Sequence, residues 1–424
     1  MGGMMKNLVI LTTLMLSLST AQTMKVWDIM TNPVVNSVQE QLNQEFLDAH
    51  PSVTIDRTSM SFSDLIATVN LALASDDAPD VPMVNQGAPD MGEAVKADLL
   101  LPLDSYAEQY GWNNLYSDKL LNRFRWSDTH QFGEGALYGL ASTAQYVGVY
   151  YNKAIFDQLG LDIPETFEEF QNHMATIKEA GITPIVYGNL DAWPAIHLYG
   201  TVQHLFSSTD ELDTLIYSRG GTWKTEGNIE AARIIQDWIA KGYLTEGFSG
   251  ISYDDSWGLF LQGQGAMMIT GTWITGEFVS NPDIRFFLMP PLEANKGTVP
   301  PHVAGTEVAF TISVKSELAD LGAEYINFLH SPRAADLWLQ AGLIPAMAAD
   351  ESLLVPDTLI TDTYIAWQKL NESNALGHYL DWATPTFYNT ITSSLQQLEG
   401  SKLTPEEFID VLEKDYQDYL STKQ

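Results

Sequence analysis

The sequence predicts an α/β protein of two lobes, each a mainly parallel sheet flanked by helices. Three observations predict it. Short apolar strands alternate with amphipathic helices at the start of the chain, and the same rhythm restarts near residue 146. A chain of 424 residues exceeds one ordinary core, since domains usually run ~100–200 residues. Hydrophobic residues make up 45% of it, enough for a substantial interior.

The first residues read as an export signal. Lys6 supplies a positive charge, residues 8–18 are apolar, and Ser19, Thr20 and Ala21 are small, as before a cleavage site. The apolar run falls short of the ~20 residues that span a bilayer. Residues 1–21 are therefore expected to be removed, leaving an exported, periplasmic chain that begins near Gln22. No cysteine is present, so neither a disulfide nor a lipid anchor on a cysteine is expected.

From there a strand is predicted at 24–29 and a helix at 36–48, where Val38, Leu42, Phe46 and Leu47 share a face before His50-Pro51. A strand at 53–55, a helix at 62–74 and a strand at 80–84 complete a βαβαβ unit. In such a unit the ligand crevice lies beyond the carboxyl ends of the strands. The second unit opens with a strand at 146–151. A helix at 166–180 follows, with Thr166 as N-cap and Glu169 in the capping-box position. Then come a strand at 183–187, a helix at 229–240 and a strand at 266–269 that runs into Gly271-Thr272-Trp273. Thr404 introduces a last acidic helix over 404–419.

Asp and Glu number 54 against 21 Lys and Arg, a net charge of −33. That excess repels phosphates at long range, which excludes nucleic acid and disfavours a polyanionic ligand. No cofactor is implied. Phosphate-binding glycine loops, the serine elbow G-x-S-x-G and the zinc motif H-E-x-x-H are all missing from the sequence. His197 and His204 could share a helix face, but no convergent carboxylates accompany them, so no metal site is expected. Asp254-Asp255 is the densest acid pair near aromatics and reads as a solvated loop, since neighbours in an extended segment point apart.

Residues near the predicted strand ends carry a different chemistry. Thr31 and Asn32 follow the first strand, and Asn85 and Gln86 the third. Gln145 heads the second unit. Asn189, Asp191 and Trp193 follow the strand at 183–187, Trp273 follows that at 266–269, and Trp382 and Phe387 lie towards the C-terminus. Trp257 and Glu307 complete the candidate set. Amides and single carboxylates match sugar hydroxyls, and indole faces match the C–H face of a pyranose. Trp238, Trp338 and Trp367 read as core packing.

The run Val147-Gly-Val-Tyr-Tyr-Asn-Lys-Ala-Ile-Phe-Asp-Gln-Leu-Gly-Leu161 is followed by Ile163-Pro-Glu-Thr-Phe-Glu-Glu-Phe170 and Ala180-Gly-Ile-Thr-Pro-Ile185. With Ala78-Pro-Asp-Val81, Phe260-Leu-Gln-Gly-Gln-Gly-Ala-Met-Met-Ile-Thr-Gly-Thr-Trp273, Phe328-Leu329 and Ala341-Gly-Leu-Ile-Pro345, these segments resemble extracellular solute-binding proteins of carbohydrate ABC importers. That resemblance implies the periplasmic binding protein fold, with hinge closure of two lobes joined by crossovers near 143–146, 306–311 and 344–349. The implied lobes are 22–144 plus 310–346 and 145–309 plus 347–424. It also implies a ligand-stacking Trp273, a crossover contact from Gln145, and contacts near Thr31, Asn32, Asn85 and Gln86.

The implied function is a non-enzymatic, monomeric receptor that carries a neutral sugar to the transmembrane permease of an ABC importer. Where maltodextrin binders carry charged and aromatic groups after the third strand, this chain has Val84-Asn85-Gln86-Gly87, which points away from maltodextrin. The alternatives are an exported glycoside hydrolase and a binder of a quaternary ammonium or polyol solute.

Overall fold

The computed structural model describes residues 22–423, so the export-signal expectation for 1–21 lies outside the described residues. The first sheet follows the predicted rhythm. Strand Gln22–Asp28 runs parallel to both Val53–Ser59 and Val81–Val84, and Ala309–Phe310 adds an antiparallel edge beside Val81–Val84. Helices Pro33–Ala49 and Phe62–Ala74 connect these strands. Val38, Leu42 and Phe46 are buried as their spacing predicts, and Ser61 caps the second helix by accepting from the Asp64 amide.

The second sheet corrects one part of the expectation. Its long strand Thr143–Asn152 pairs antiparallel with Met267–Gly271, Ile284–Phe287, Ala304–Thr306 and Ile344–Pro345. Among the described residues, parallel pairing around it is limited to single bridges, from Ile185 to Leu244 and Met267 and from His302 to Leu376. Residues 183–187 are therefore an extended run pinned at Ile185, not a strand. Apolar alternation marks a strand whichever way its neighbours run, whereas direction is set by the connections.

Helix Phe167–Glu179 is capped by the Thr166 hydroxyl, which accepts from the Glu169 amide. Glu169 itself reaches the Glu165 amide instead of closing the box on Thr166. The terminal helix Pro405–Thr422 does form the full capping box between Thr404 and Glu407. Trp238 and Trp338 are fully buried, and Trp367 stacks at 5.9 Å on Tyr146. All three sit in packing positions, as expected.

The segments expected to cross between the lobes lie side by side. Ala144 pairs with both Thr306 and Ile344, the Glu307 amide donates to the Thr143 carbonyl, and the Ala346 amide donates to the Ser142 carbonyl. On either side, elements from the two sheets touch. The Val34 amide donates to Glu277 at 3.1 Å, and the buried Arg123 guanidinium donates to the Ala304 and Gly377 carbonyls. No described helix is long and apolar enough to cross a membrane.

Candidate functional site

A cavity of about 280 Å³ opens between the two sheets, at the carboxyl ends of the first sheet's parallel strands. One wall carries Ile29, Thr31, Asn32, Val35, Ser61, Phe62, Ser63 and Asn85. The other carries Asp191, Trp193, Ile196, His197, Tyr253, Asp254, Trp273, Tyr379, Asp381, Trp382 and Tyr388. Gln145 and the run Thr306, Glu307 and Val308 close it along the crossovers. Among the described residues no Lys or Arg lines it.

Local chemistry fixes the first wall. Asp28 ends the first strand fully buried, where Arg57 grips its carboxylate with two nitrogens at 2.6 and 3.0 Å. Arg57 also donates to Asn36 and to the Met30 carbonyl, so the turn bearing Thr31 and Asn32 is clamped from below. Asn85 donates to Asp90 at 2.8 Å.

The second wall is a chain of rings. Trp273 follows strand Met267–Gly271, and its ring folds back over Gly271, where an added Cβ would lie 1.7 Å from the indole. Only glycine permits that approach. The Trp273 indole N–H donates to the Tyr253 hydroxyl at 2.6 Å. Trp193 packs 4.4 Å from Tyr253, 5.1 Å from His197 and edge-on to Trp273 at 6.1 Å. His197 in turn meets Tyr379 at 5.4 Å, and Tyr379 meets Trp382 at 5.1 Å. Trp382 lies against Gly87, whose φ of 89° and contact with the indole both require glycine.

Trp193 is presented by a strained turn. Ala192 holds φ 66°, a left-handed conformation uncommon outside glycine. Asp191 accepts from the Tyr253 amide at 2.7 Å, and Asn189 accepts from the Ala195 amide. Beneath the turn, buried Glu399 accepts from the Tyr187 hydroxyl at 2.7 Å and the Asn189 amide at 2.6 Å. Burial pushes its carboxyl up to about 7.

Burial also pushes two lining carboxyls up to about 7. For Glu307, which accepts from Thr143 at 2.9 Å, the charge of Asp28 adds to the effect. For Asp381 burial outweighs the opposing hydrogen bond from its own backbone amide. The same cause takes His197 down to about 3, so its imidazole stays neutral.

Of the residues singled out in the sequence, Thr31, Asn32, Asn85, Gln145, Asp191, Trp193, Trp273, Glu307 and Trp382 line the cavity. Four do not. Gln86 is buried behind the wall and donates to the Thr306 and Glu307 carbonyls. Asn189 ties the Trp193 turn to Glu399, and Phe387 is core, packed 4.9 Å from Trp223. Trp257 lies behind Asp254, to which its indole donates at 3.0 Å. The acid pair at 254–255 is not an extended loop: it forms the first turn of helix Tyr253–Leu261, which turns Asp254 toward the cavity.

Tyr253, Tyr379 and Tyr388 complete the wall without a local signal of their own, whereas Asp381 stands beside Trp382 in the sequence as a single carboxylate next to an indole, and His197, paired there with His204, joins the wall as a ring. His197 belongs to helix Pro194–Gln203, whose residues are all buried, and His204 caps its end. No cluster of metal-ligating side chains occurs among the described residues.

Two sheet-containing lobes with a ring-lined cavity between them are the build of a solute-binding receptor, and the comparisons agree. The chain belongs to the bacterial extracellular solute-binding protein family, whose pattern it matches over residues 32–336. It is similar to the multiple sugar-binding protein of Streptococcus mutans, at 22% identity over 71% of this chain and 69% of that one. An uncharacterized ABC transporter extracellular-binding protein of Pyrococcus horikoshii is 20% identical over 89% of this chain and 84% of its own. Among solved structures, a chitin oligosaccharide binding protein superposes with a TM-score of 0.81 at 22% identity, covering 94% of this chain and 100% of that one. At that identity the likeness speaks to the fold.

Proposed function

We propose that this protein is the periplasmic receptor of a carbohydrate ABC importer, binding a neutral sugar or short oligosaccharide between its lobes without catalysis. The observation that carries the reading is the composition of the cavity. Edge-on and tilted rings from one lobe face amides and hydroxyls from the other, with carboxylates and, among the described residues, no Lys or Arg between them. Ring faces take the apolar C–H surface of a pyranose, while Asn32, Asn85, Gln145 and the acids match hydroxyls that both donate and accept. A quaternary ammonium solute would use the rings and leave the amides idle, which favours the sugar.

We assign the lobes as 22–144 plus 310–346 and 145–309 plus 347–424, with the side-by-side crossovers as hinge. A ligand shifts the open–closed balance only by contacts that differ between the two states. Here those are contacts to both walls at once, which only the closed form offers. The closed form of a monomer is then what the permease recognises, after export directed by residues 1–21. The sugar-binding relative of Streptococcus mutans supports the ligand class, and the ABC transporter protein of Pyrococcus horikoshii supports the importer.

Trp273 is the main stacking platform. Calorimetry across a panel of neutral sugars, with betaine and choline included, should find a sugar that binds the wild type. Trp273→Ala should lose at least about 100-fold in affinity for it, with circular dichroism unchanged. Unaltered affinity would remove Trp273 from the site, and binding of betaine alone would replace the sugar with a cationic solute.

A further inference from the structure

Asp381 stands apart from the other acids of the cavity. It sits in the short turn Leu380–Trp382, is 6% exposed, and lines the space between the lobes. Each of its neighbours has a protein donor: Glu307 has Thr143, Asp191 the Tyr253 amide, and Asp254 the Trp257 indole. No other described residue donates to the Asp381 carboxyl, which accepts only from its own backbone amide. Arg123 lies over the neighbouring Trp382 ring and spends its donors on the Ala304 and Gly377 carbonyls.

A buried carboxylate whose one protein donor is its own backbone amide is short of partners, and a bound molecule that supplies them relieves the cost. We propose that Asp381 sets the charge class of the ligand: it anchors two adjacent hydroxyls of an uncharged sugar and closes the site to uronates and sugar phosphates. This rests on the sugar-receptor reading and adds the residue and the exclusion. Two hydroxyls donating to one carboxylate form charge-assisted bonds, stronger than neutral ones. A ligand carboxylate or phosphate at that place would meet Asp381, Glu307, Asp191 and Asp254 with no Lys or Arg to offset them.

The same geometry links binding to protons. Burial holds the free Asp381 carboxyl up at about 7, so near neutrality part of the population must ionise before it can accept two hydroxyls. Around it, Asp90 is also pushed up to about 7, by burial and by the charge of Asp381 itself, and Glu307 titrates in the same range. Tyr379 and Tyr388 are raised by burial beyond any neutral range, His197 stays neutral, and Arg123 stays charged. Only the difference between wild type and an Asp381 variant therefore isolates this group.

The test is calorimetry of the full chain with glucose, galactose, xylobiose, maltose and raffinose against glucuronate, galacturonate and glucose 6-phosphate. The wild type should bind at least one neutral sugar and none of the acids. Its affinity should rise from about pH 5.5 to about 8, with protons released in two buffers of different ionisation enthalpy. Asp381→Asn should weaken the neutral sugar at least about tenfold and flatten that rise.

Equal affinity and an equal pH profile in Asp381→Asn would overturn the proposal, as would an acid sugar bound as tightly as its neutral parent. Should Asp381→Asn not fold, Asp381→Ser and the wild-type proton count decide, and no proton release overturns the assignment. No carbohydrate binding by the wild type would overturn the receptor reading itself, an outcome distinct from failure of the variant.

Discussion

The two walls of the cleft are built on different principles. The wall from the second lobe is aromatic, and its rings brace one another from Trp273 through Trp193, His197 and Tyr379 to Trp382. The wall from the first lobe is shorter and more polar, made of strand-end turns and helix starts, with the Thr31–Asn32 turn held by the Arg57–Asp28 pair. A braced ring surface is ready for a ligand before closure, because its rotamers are already locked. A set of small amides and hydroxyls gives little area but exacting geometry. The difference assigns most of the affinity to the second lobe, where Asp381 also sets the charge class, and closure to the first.

Substitutions can break that division. After Trp273→Ala, the largest loss is expected from Trp193→Ala, roughly 10- to 100-fold in affinity by titration, since it removes a stacking face and unbraces Tyr253. Removing first-wall amides, Asn32→Ala with Asn85→Ala, should cost about tenfold. It should also abolish the sugar-induced fall in radius of gyration measured by small-angle scattering. If the double variant still contracts, closure is driven from the ring wall alone.

Phe387→Ala sharpens the comparison from outside. It should cost about 3–5 kcal/mol of stability in a denaturant titration, with affinity at the folded baseline unchanged, because Phe387 packs on Trp223 away from the cavity. The smallest effect concerns Glu399. Its folded pKa is raised, so the stability linked to its proton is complete below the unfolded value and lost as pH rises through about 7. Wild type minus Glu399→Gln should therefore fall by about 1–3 kcal/mol between about pH 5 and pH 8. Guanidinium unfolding at the two pH values reads it, and a flat difference would mean that Glu399 titrates normally.

Much of the frame was legible from local pattern. Helices with a polar cap and a regular apolar face fell where expected, as at Ser61, Thr166 and Thr404. Trp193 and Trp273 stood out because breakers and polar residues surround them, and both line the cavity. What local pattern could not carry was direction and depth. The antiparallel pairing of Thr143–Asn152 depends on how distant strands return, and Gln86 and Asn189 resemble Asn85 in sequence yet point to backbone and to Glu399. His197 and Tyr379 reach the wall only because helix Pro194–Gln203 packs beside the turn Leu380–Trp382, a contact between segments far apart in the chain.

The central claim is capture without conversion, and one measurement meets it directly. Two carboxyls pushed up to about 7 in one cavity, Glu307 and Asp381, are also what a hydrolase would use as an acid. The wild-type chain should be titrated with the neutral oligosaccharide that binds it, and the sugar recovered by chromatography after prolonged incubation. A single saturable site with the sugar recovered intact is the expected result. Shortened sugar in the recovered fraction, or no saturable heat with any carbohydrate, would contradict it.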